Sequence, residues 1–198
     1  MEGVRAFLFF LALREEAKRE EVRARFPRLV PLLRALGEAV EAQGETFRLA
    51  KPLRLSWFAP LFLEGYSPLL PEPERSLALE KLLEAAYRSA EAGEPLGPED
   101  GLLRAARAFQ EGSQALLKGA HREALHRYGE GLGLLEKAGL PFPATALALL
   151  ALAQEGFRPG GKGRETARKA LARAQTPFAR QVAERLLAQA TEGNEAGA

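Results

Sequence analysis

Apolar residues recur three or four positions apart along most of the chain, and this pattern predicts a mainly α protein. The predicted helices cover residues 4–14, 18–25 and 31–40, and then residues 77–92, 102–117, 120–136, 144–155, 164–174 and 177–190. Gly and Pro separate the later helices. The apolar run within the first helix is too short to span a bilayer, so we interpret it as a buried helix and expect no membrane partner.

One segment instead alternates with the period of a strand. Residues 39–55 are predicted to form an antiparallel hairpin with its tip near Gly44, and Leu53, Leu55 and Trp57 repeat the alternation beyond Pro52. A strand pair of this size is only marginally stable alone. We therefore expect the three preceding helices to pack on it and to bury Phe47 and Leu55.

The composition agrees with a folded helical protein. Hydrophobic residues make up 46% of the 198 positions, and β-branched residues are scarce, with no Ile, five Val and five Thr. The absence of Cys excludes disulfides and thiolate sites and favours a cytoplasmic location. The excess of Arg over Lys, 21 against 7, together with a single Asn and a single Met, is typical of a thermophile.

Charge and turn-forming residues divide the chain. Residues 1–57 carry 11 basic and 8 acidic side chains, residues 58–100 carry 3 and 9, and residues 101–198 carry 14 and 9. The acidic middle contains two segments rich in Pro and Gly. We predict an N-terminal domain at 1–57, a helical domain at 58–190 and a flexible tail at 191–198.

Three helices followed by a hairpin is the element order of a winged helix, with the hairpin as the wing. A hairpin that only closes a helical core is the alternative reading. The segments RAFLFFLALREEAKREEV and LLRALGEAVEAQGETFRLAKPLRLSWFAPLFLEG resemble bacterial transcriptional activators that couple a winged helix to a bacterial-activator domain of tetratricopeptide-like helix pairs. The resemblance implies a DNA-binding regulator whose helical half dimerises or receives a partner. Pro27 and Pro31 depart from the family, because they crowd and shorten the segment of its recognition helix.

DNA binding by a winged helix needs positive charge on phosphates and a few side chains at base edges. The candidate DNA-binding residues lie on or near the presumed recognition helix and on the wing, and they are Arg25, Arg28, Arg34, Arg48 and Lys51. Alternatively, they are ordinary solvated side chains. A continuous positive stripe would favour binding of duplex DNA, whereas a stripe broken by Glu38, Glu41 or Glu45 would favour a scaffold without DNA contact.

The segment GSQALLKGAHREALHRYGEGL, residues 112–132, resembles a tetratricopeptide repeat, although the repeat register is lost after it. Gly112, Ala124 and Gly131 would let two helices approach closely, with Tyr128 between them. A plain helical hairpin is the alternative. The candidate partner-binding residues for a protein or peptide line a groove in this half, and they are Tyr87, Phe109 and Tyr128.

No catalytic, metal or cofactor site is predicted, and we do not expect an enzyme. His121 and His126 are five residues apart and do not share a helix face. Residues 156–163 have the spacing of a phosphate-binding loop, but Gly163 stands where that motif needs Ser or Thr, and a helix is predicted where it needs a strand. Two functions remain: a DNA-binding transcriptional regulator, or a scaffold that binds a protein or peptide. Homodimerisation is left open.

Overall fold

The computed structural model describes the backbone of residues 3–196, and the side chains at positions 32, 34 and 35 and from 190 onwards lie outside the description. The elements are α1 (Gly3–Arg14), β1 (Glu16–Lys18), α2 (Arg19–Arg25), a 3₁₀ helix (Val30–Leu36), β2 (Val40–Gln43), β3 (Thr46–Leu49), α3 (Leu55–Gly65), α4 (Glu74–Glu91), α5 (Leu103–Leu117), α6 (His121–Lys137), α7 (Ala144–Phe157), α8 (Gly163–Arg173) and α9 (Pro177–Ala196). The predicted mainly helical class is confirmed, with one small antiparallel sheet in the described chain.

Helix α1 is apolar from Ala6 to Leu13, and buried side chains lie on two of its faces. Phe7, Phe10 and Leu11 pack into an N-terminal cluster with the sheet, α2 and the 3₁₀ helix. Phe9 and Leu13 pack into a second cluster with α3 to α6. A segment that is hydrophobic all round has no polar face to present to solvent, so α1 packs against neighbours on both sides.

The sheet has the strand order β1-β3-β2, and both strand pairs are antiparallel. The hairpin of β2 and β3 turns at Gly44, whose φ of +59° is the left-handed conformation that favours glycine. Phe47 and Leu55 are each 3% exposed, so their predicted burial is confirmed. The wrong part of the prediction is the strand-like reading beyond Pro52, because Leu55 begins helix α3.

Two further elements of the N-terminal half differ from the sequence prediction. The sequence does not predict strand β1, since Ala17 is its one apolar residue within a charged run. The predicted helix at 31–40 is a shorter 3₁₀ helix. Val30, Leu33 and Leu36 all pack on the N-terminal cluster, and their three-residue spacing is the period of a 3₁₀ helix rather than of an α-helix.

Helices α4 to α9 correspond to the six predicted helices of the second half. Consecutive helices pack against each other, and α4 also contacts α1, α3, α7 and α9. The predicted boundary at residue 57 falls inside α3, and α9 extends to Ala196, into the predicted tail. The division into domains and the flexibility of 191–198 remain predictions. No helix in the described part of the chain is both long enough and apolar enough to cross a bilayer.

The hairpin of α5 and α6 is closely packed through glycine. A Cβ at Gly112 would lie 2.5 Å from the Tyr128 ring, and a Cβ at Gly131 would lie 2.5 Å from the Phe109 ring. The two rings stack with centroids 5.2 Å apart. The small residues predicted at this crossing therefore do let two large aromatic rings occupy the interface between the helices.

Substitution of alanine for two glycines of α6 should change the stability of the protein in opposite directions. Gly131→Ala should destabilise the protein by about 1–3 kcal/mol, because the added methyl group overlaps the buried Phe109 ring. Gly129 is exposed and a Cβ there would meet nothing within 4 Å, so Gly129→Ala should stabilise by about 1 kcal/mol through helix propensity. Urea unfolding of both variants measures the difference. Equal effects in the two variants would contradict the close packing of Gly131 on Phe109.

Candidate functional site

Arg48, a predicted DNA-binding residue on the hairpin, is flanked by acids on both neighbouring strands. Its Nη2 lies 2.9 Å from Glu16 Oε2, and Glu41 is its register partner on β2. Residues directly opposite each other in a sheet share a face. The charge of Arg48 is therefore largely balanced within the sheet.

The tip of the hairpin carries no free positive charge either. The segment 40–47 contains no Lys or Arg. Glu45 Oε2 lies 3.7 Å from Arg19 Nε, and the Arg19 guanidinium lies over the Phe47 ring, 5.4 Å from its centroid. The positive stripe considered in the sequence is consequently broken by acids along the hairpin.

The other predicted DNA-binding residues lie on different elements of the N-terminal half. Arg25 is exposed, with its guanidinium 4.8 Å from the centroid of the Phe10 ring, and Arg28 is exposed in the turn after α2. The side chain of Arg34 lies outside the described residues. Lys51 is exposed at the base of the hairpin. Among the described side chains, Arg25 lies at the end of α2, Arg28 in the turn after it and Lys51 after β3, whereas Arg48 lies within β3.

The segment expected to read DNA is also short. The 3₁₀ helix has seven residues, and at about 2 Å per residue it is roughly 14 Å long. Leu29, which precedes this helix, is buried. The side chains of Val30, Leu33 and Leu36 pack against the N-terminal cluster. A recognition helix instead presents a polar face to base edges.

Two of the three residues predicted to line a partner groove, Tyr87, Phe109 and Tyr128, are fully buried. Phe109 and Tyr128 are both 0% exposed, and the Tyr128 hydroxyl lies 2.9 Å from Ser113 Oγ. Tyr87 is half-buried and packs on Phe178 of α9, with ring centroids 5.3 Å apart. The prediction is wrong for Phe109 and Tyr128, whose rings fill the interface between α5 and α6, whereas Tyr87 stays partly exposed beside α9.

A different concave surface lies at the base of the hairpin. We call it the Trp57 groove, and it has a volume of about 330 Å³; it is lined by Leu8, Glu38, Ala39, Leu49, Lys51 and Trp57. The indole Nε1 of Trp57 donates a hydrogen bond to the carbonyl of Pro52 at 3.1 Å, which fixes the ring. The apolar lining residues are half-buried, whereas Glu38 and Lys51 are exposed. The sequence offered one signal for this site, the single Trp where the strand pattern ends.

A chain of ion pairs joins the end of α1 to α4. Lys81 is only 2% exposed and contacts the carboxylate of Glu15, while its Nζ lies 3.4 Å from Glu84 Oε1. Glu84 Oε2 in turn accepts from Arg88 Nε at 3.0 Å. Glu15 has a φ of +68°, a strained conformation for a residue other than glycine. A buried lysine is tolerated here because two carboxylates face it.

The neighbouring residue, Glu80, is buried without such partners. It is 2% exposed, and its Oε1 has no hydrogen-bond partner among the described residues. Burial raises the pKa of the Glu80 carboxyl to about 7, against weaker opposing effects from the backbone N–H of Gln175 and from Lys81. Neither Glu80 nor Lys81 was identified from the sequence, because charged residues at these positions resemble a solvated helix face, whereas α4 is buried along most of its length.

The two histidines lie in different surroundings. His126 Nε2 lies 3.0 Å from Glu130 Oε1, whereas the His121 ring packs so closely on Gly156 that a Cβ there would lie 2.3 Å away. In the part of the chain that the structure describes, no cluster of three or more His, Asp or Glu could hold a metal ion.

Comparison with protein-family models, with curated proteins and with solved structures finds no match to this chain. Function is therefore inferred from the geometry of the Trp57 groove, of the hairpin and of Glu80.

The raised pKa of Glu80 predicts how stability depends on pH. The folded state binds a proton at Glu80 more tightly than the unfolded state, so this residue contributes stability below about pH 4.5 that is lost as the pH rises through about 7. Glutamine does not ionise, so Glu80→Gln does not lose this stability as the pH rises. The variant should be more stable than the wild type by roughly 1–3 kcal/mol at pH 8, with a smaller difference at pH 5.

Urea unfolding at both pH values measures this difference. The matched control is Glu165→Gln on α8, where an exposed carboxylate lies 3.6 Å from Lys169 and should contribute less than about 1 kcal/mol. A difference between Glu80→Gln and wild type that does not change with pH would show that the Glu80 carboxyl titrates normally.

Proposed function

We propose that this chain is a non-enzymatic protein-interaction module that holds an amphipathic segment of a partner protein in the Trp57 groove. The groove is the observation that carries the proposal. Four apolar side chains meet there without being fully buried, at the position where the two core clusters adjoin. Half-exposed apolar residues in a concave surface are typical of a site for an apolar anchor residue.

The charges at the groove indicate what kind of segment would fit. The backbone N–H of Ala50 donates to the carbonyl of Ala39 at 2.9 Å, which extends the hairpin by one pair and brings Glu38 and Lys51 to the same end. Neither Glu38 nor Lys51 has an ion-pair partner in the described chain. An apolar anchor with a basic residue on one side and an acidic residue on the other would complement both charges.

The N-terminal elements support a winged-helix-like framework for this groove. Three helical segments enclose a sheet in which β1, contributed between the first two helices, pairs with the returning strand β3. On this reading α4 to α9 form a tetratricopeptide-like support. Acidic residues balance the positive charge of the hairpin, and the third helical segment is short, so neither is suited to contact DNA. The framework would instead present the base of the hairpin to a protein partner.

A charge exchange tests this proposal. A displayed peptide library selected on the full chain should yield peptides with an apolar residue between a basic and an acidic residue. Trp57 is the only Trp of the chain, so its fluorescence should change when these peptides bind. The double variant Glu38→Lys plus Lys51→Glu should bind them at least about tenfold more weakly, because both contacts become repulsive.

The matched control exchanges the exposed pair of α8, Glu165→Lys plus Lys169→Glu, and should leave peptide affinity unchanged. Peptides that bind the groove variant as well as the wild type, or that bind without altering Trp57 fluorescence, would place the interaction elsewhere and defeat the proposal.

Duplex DNA binding is the second candidate, and the strand order β1-β3-β2 together with the exposed Arg25 and Arg28 favours it. Our proposal predicts no retarded band in mobility-shift titrations on random duplex at low salt. Binding that is steeply salt-dependent and is lost in Arg25→Glu plus Arg28→Glu would replace the proposal with a DNA-binding regulator. The control is Arg168→Glu plus Lys169→Glu, on an exposed face of α8.

A further inference from the structure

A second cavity, separate from the Trp57 groove, lies between α4, the turn before α7 and the turn between α8 and α9. We call it the Glu80 cavity, and its volume is about 420 Å³. Its lining includes Glu80 and Arg173 together with Leu79, Pro141, Phe142 and Pro143. A space of this size can take a molecule of several non-hydrogen atoms.

The acidic residue of the cavity, Glu80, is buried and has a carboxylate oxygen that is unsatisfied within the described chain. Only 2% of Glu80 is exposed, and its Oε1 has no hydrogen-bond partner among the described residues. A buried polar atom without a partner costs free energy that a ligand donor would recover. The other groups acting on Glu80 are Lys81 and Glu84 on its own helix, Arg173 on α8, and the backbone N–H of Gln175.

Arg173 supplies the opposite charge without neutralising the acid. It is exposed, it lines the same cavity, and its charge acts on Glu80. The structure nevertheless shows no ion pair between these two described residues. Two unlike charges that face one cavity without contacting each other fit a ligand that carries both an ammonium and a carboxylate group.

The rest of the lining indicates the character of the ligand between those charges. Leu79, Phe142 and two prolines provide apolar surface. Helix α7 begins at the cavity with Ala144 and has no acidic residue in its first turn, so the partial positive charge of its N-terminus also favours a carboxylate. Apolar surface beside separated charges is the chemistry that recognises an apolar amino acid.

We propose that the Glu80 cavity binds a free apolar α-amino acid, with the ammonium group on the Glu80 carboxylate, the carboxylate on Arg173 and the side chain against Phe142. The proposal does not depend on the Trp57 groove. A ligand at this position contacts α4, α7 and the α8–α9 turn at once, so its binding should also stabilise the packing of these helices.

Isothermal titration calorimetry of the full chain with L-leucine tests the proposal. We expect saturable binding, and binding at least about tenfold weaker for 4-methylpentanoate, which lacks the ammonium group, and for 3-methylbutylamine, which lacks the carboxylate. Glu80→Gln and Arg173→Gln should each weaken leucine binding by a similar factor. Arg168→Gln is the matched control, because Arg168 is an exposed arginine of the same helix outside the cavity lining.

The pH dependence supplies an independent readout. Leucine affinity should fall by up to about tenfold per unit below pH 7 in the wild type, as Glu80 becomes protonated, and this dependence should disappear in Glu80→Gln. Because Arg173 is exposed, Arg173→Gln tests the cavity even if a change at Glu80 alters folding. Absence of saturable heat from millimolar leucine, or equal affinity in wild type and Arg173→Gln, would overturn the proposal.

Discussion

Burial of both faces of helix α1 is the constraint on which the rest of the structure depends. Phe7 and Phe10 belong to the core beneath the sheet, and Phe9 and Leu13 belong to the core of the helical half. Full burial of each such side chain contributes about 1.5–3 kcal/mol. Separating the halves would expose one face of α1, so the Trp57 groove, which includes Leu8 of the same helix, is held by both cores.

Around the buried helix α1, charged side chains of the N-terminal half form ion pairs that link its elements. The sheet has a charged outer face on which Arg48 pairs with Glu16, and at the hairpin turn Glu45 pairs with Arg19 at the start of α2. At the end of α1, Glu15 reaches the buried Lys81 of α4. Arginine in this sequence is therefore a poor guide to nucleic-acid binding unless the acidic neighbours on adjacent strands are known.

The sequence could predict those features that depend on local periodicity. The hairpin around Gly44 and the burial of Phe47 follow from alternation, and α4 to α9 follow from helical spacing. Leu53, Leu55 and Trp57 satisfy the period of a strand, but Leu55, Phe58 and Phe62 also satisfy that of a helix, and tertiary packing selects the helix. Periodicity alone is also insufficient for Phe109 and Tyr128, because it does not distinguish a ring that lines a groove from a ring buried between two helices.

Glu80 and Lys81 are adjacent in α4 and equally buried, yet their surroundings differ in a way that bears on function. Lys81 has two carboxylates facing it, which is how a buried charge is accommodated when it holds a fold together. Glu80 has an oxygen without a partner among the described residues, and Arg173, an opposite charge on another helix that acts on it, forms no ion pair with it. A charge kept only for stability would gain from the pairing that Lys81 has. The Glu80 carboxylate instead remains able to bind the ammonium group of a ligand that enters the cavity.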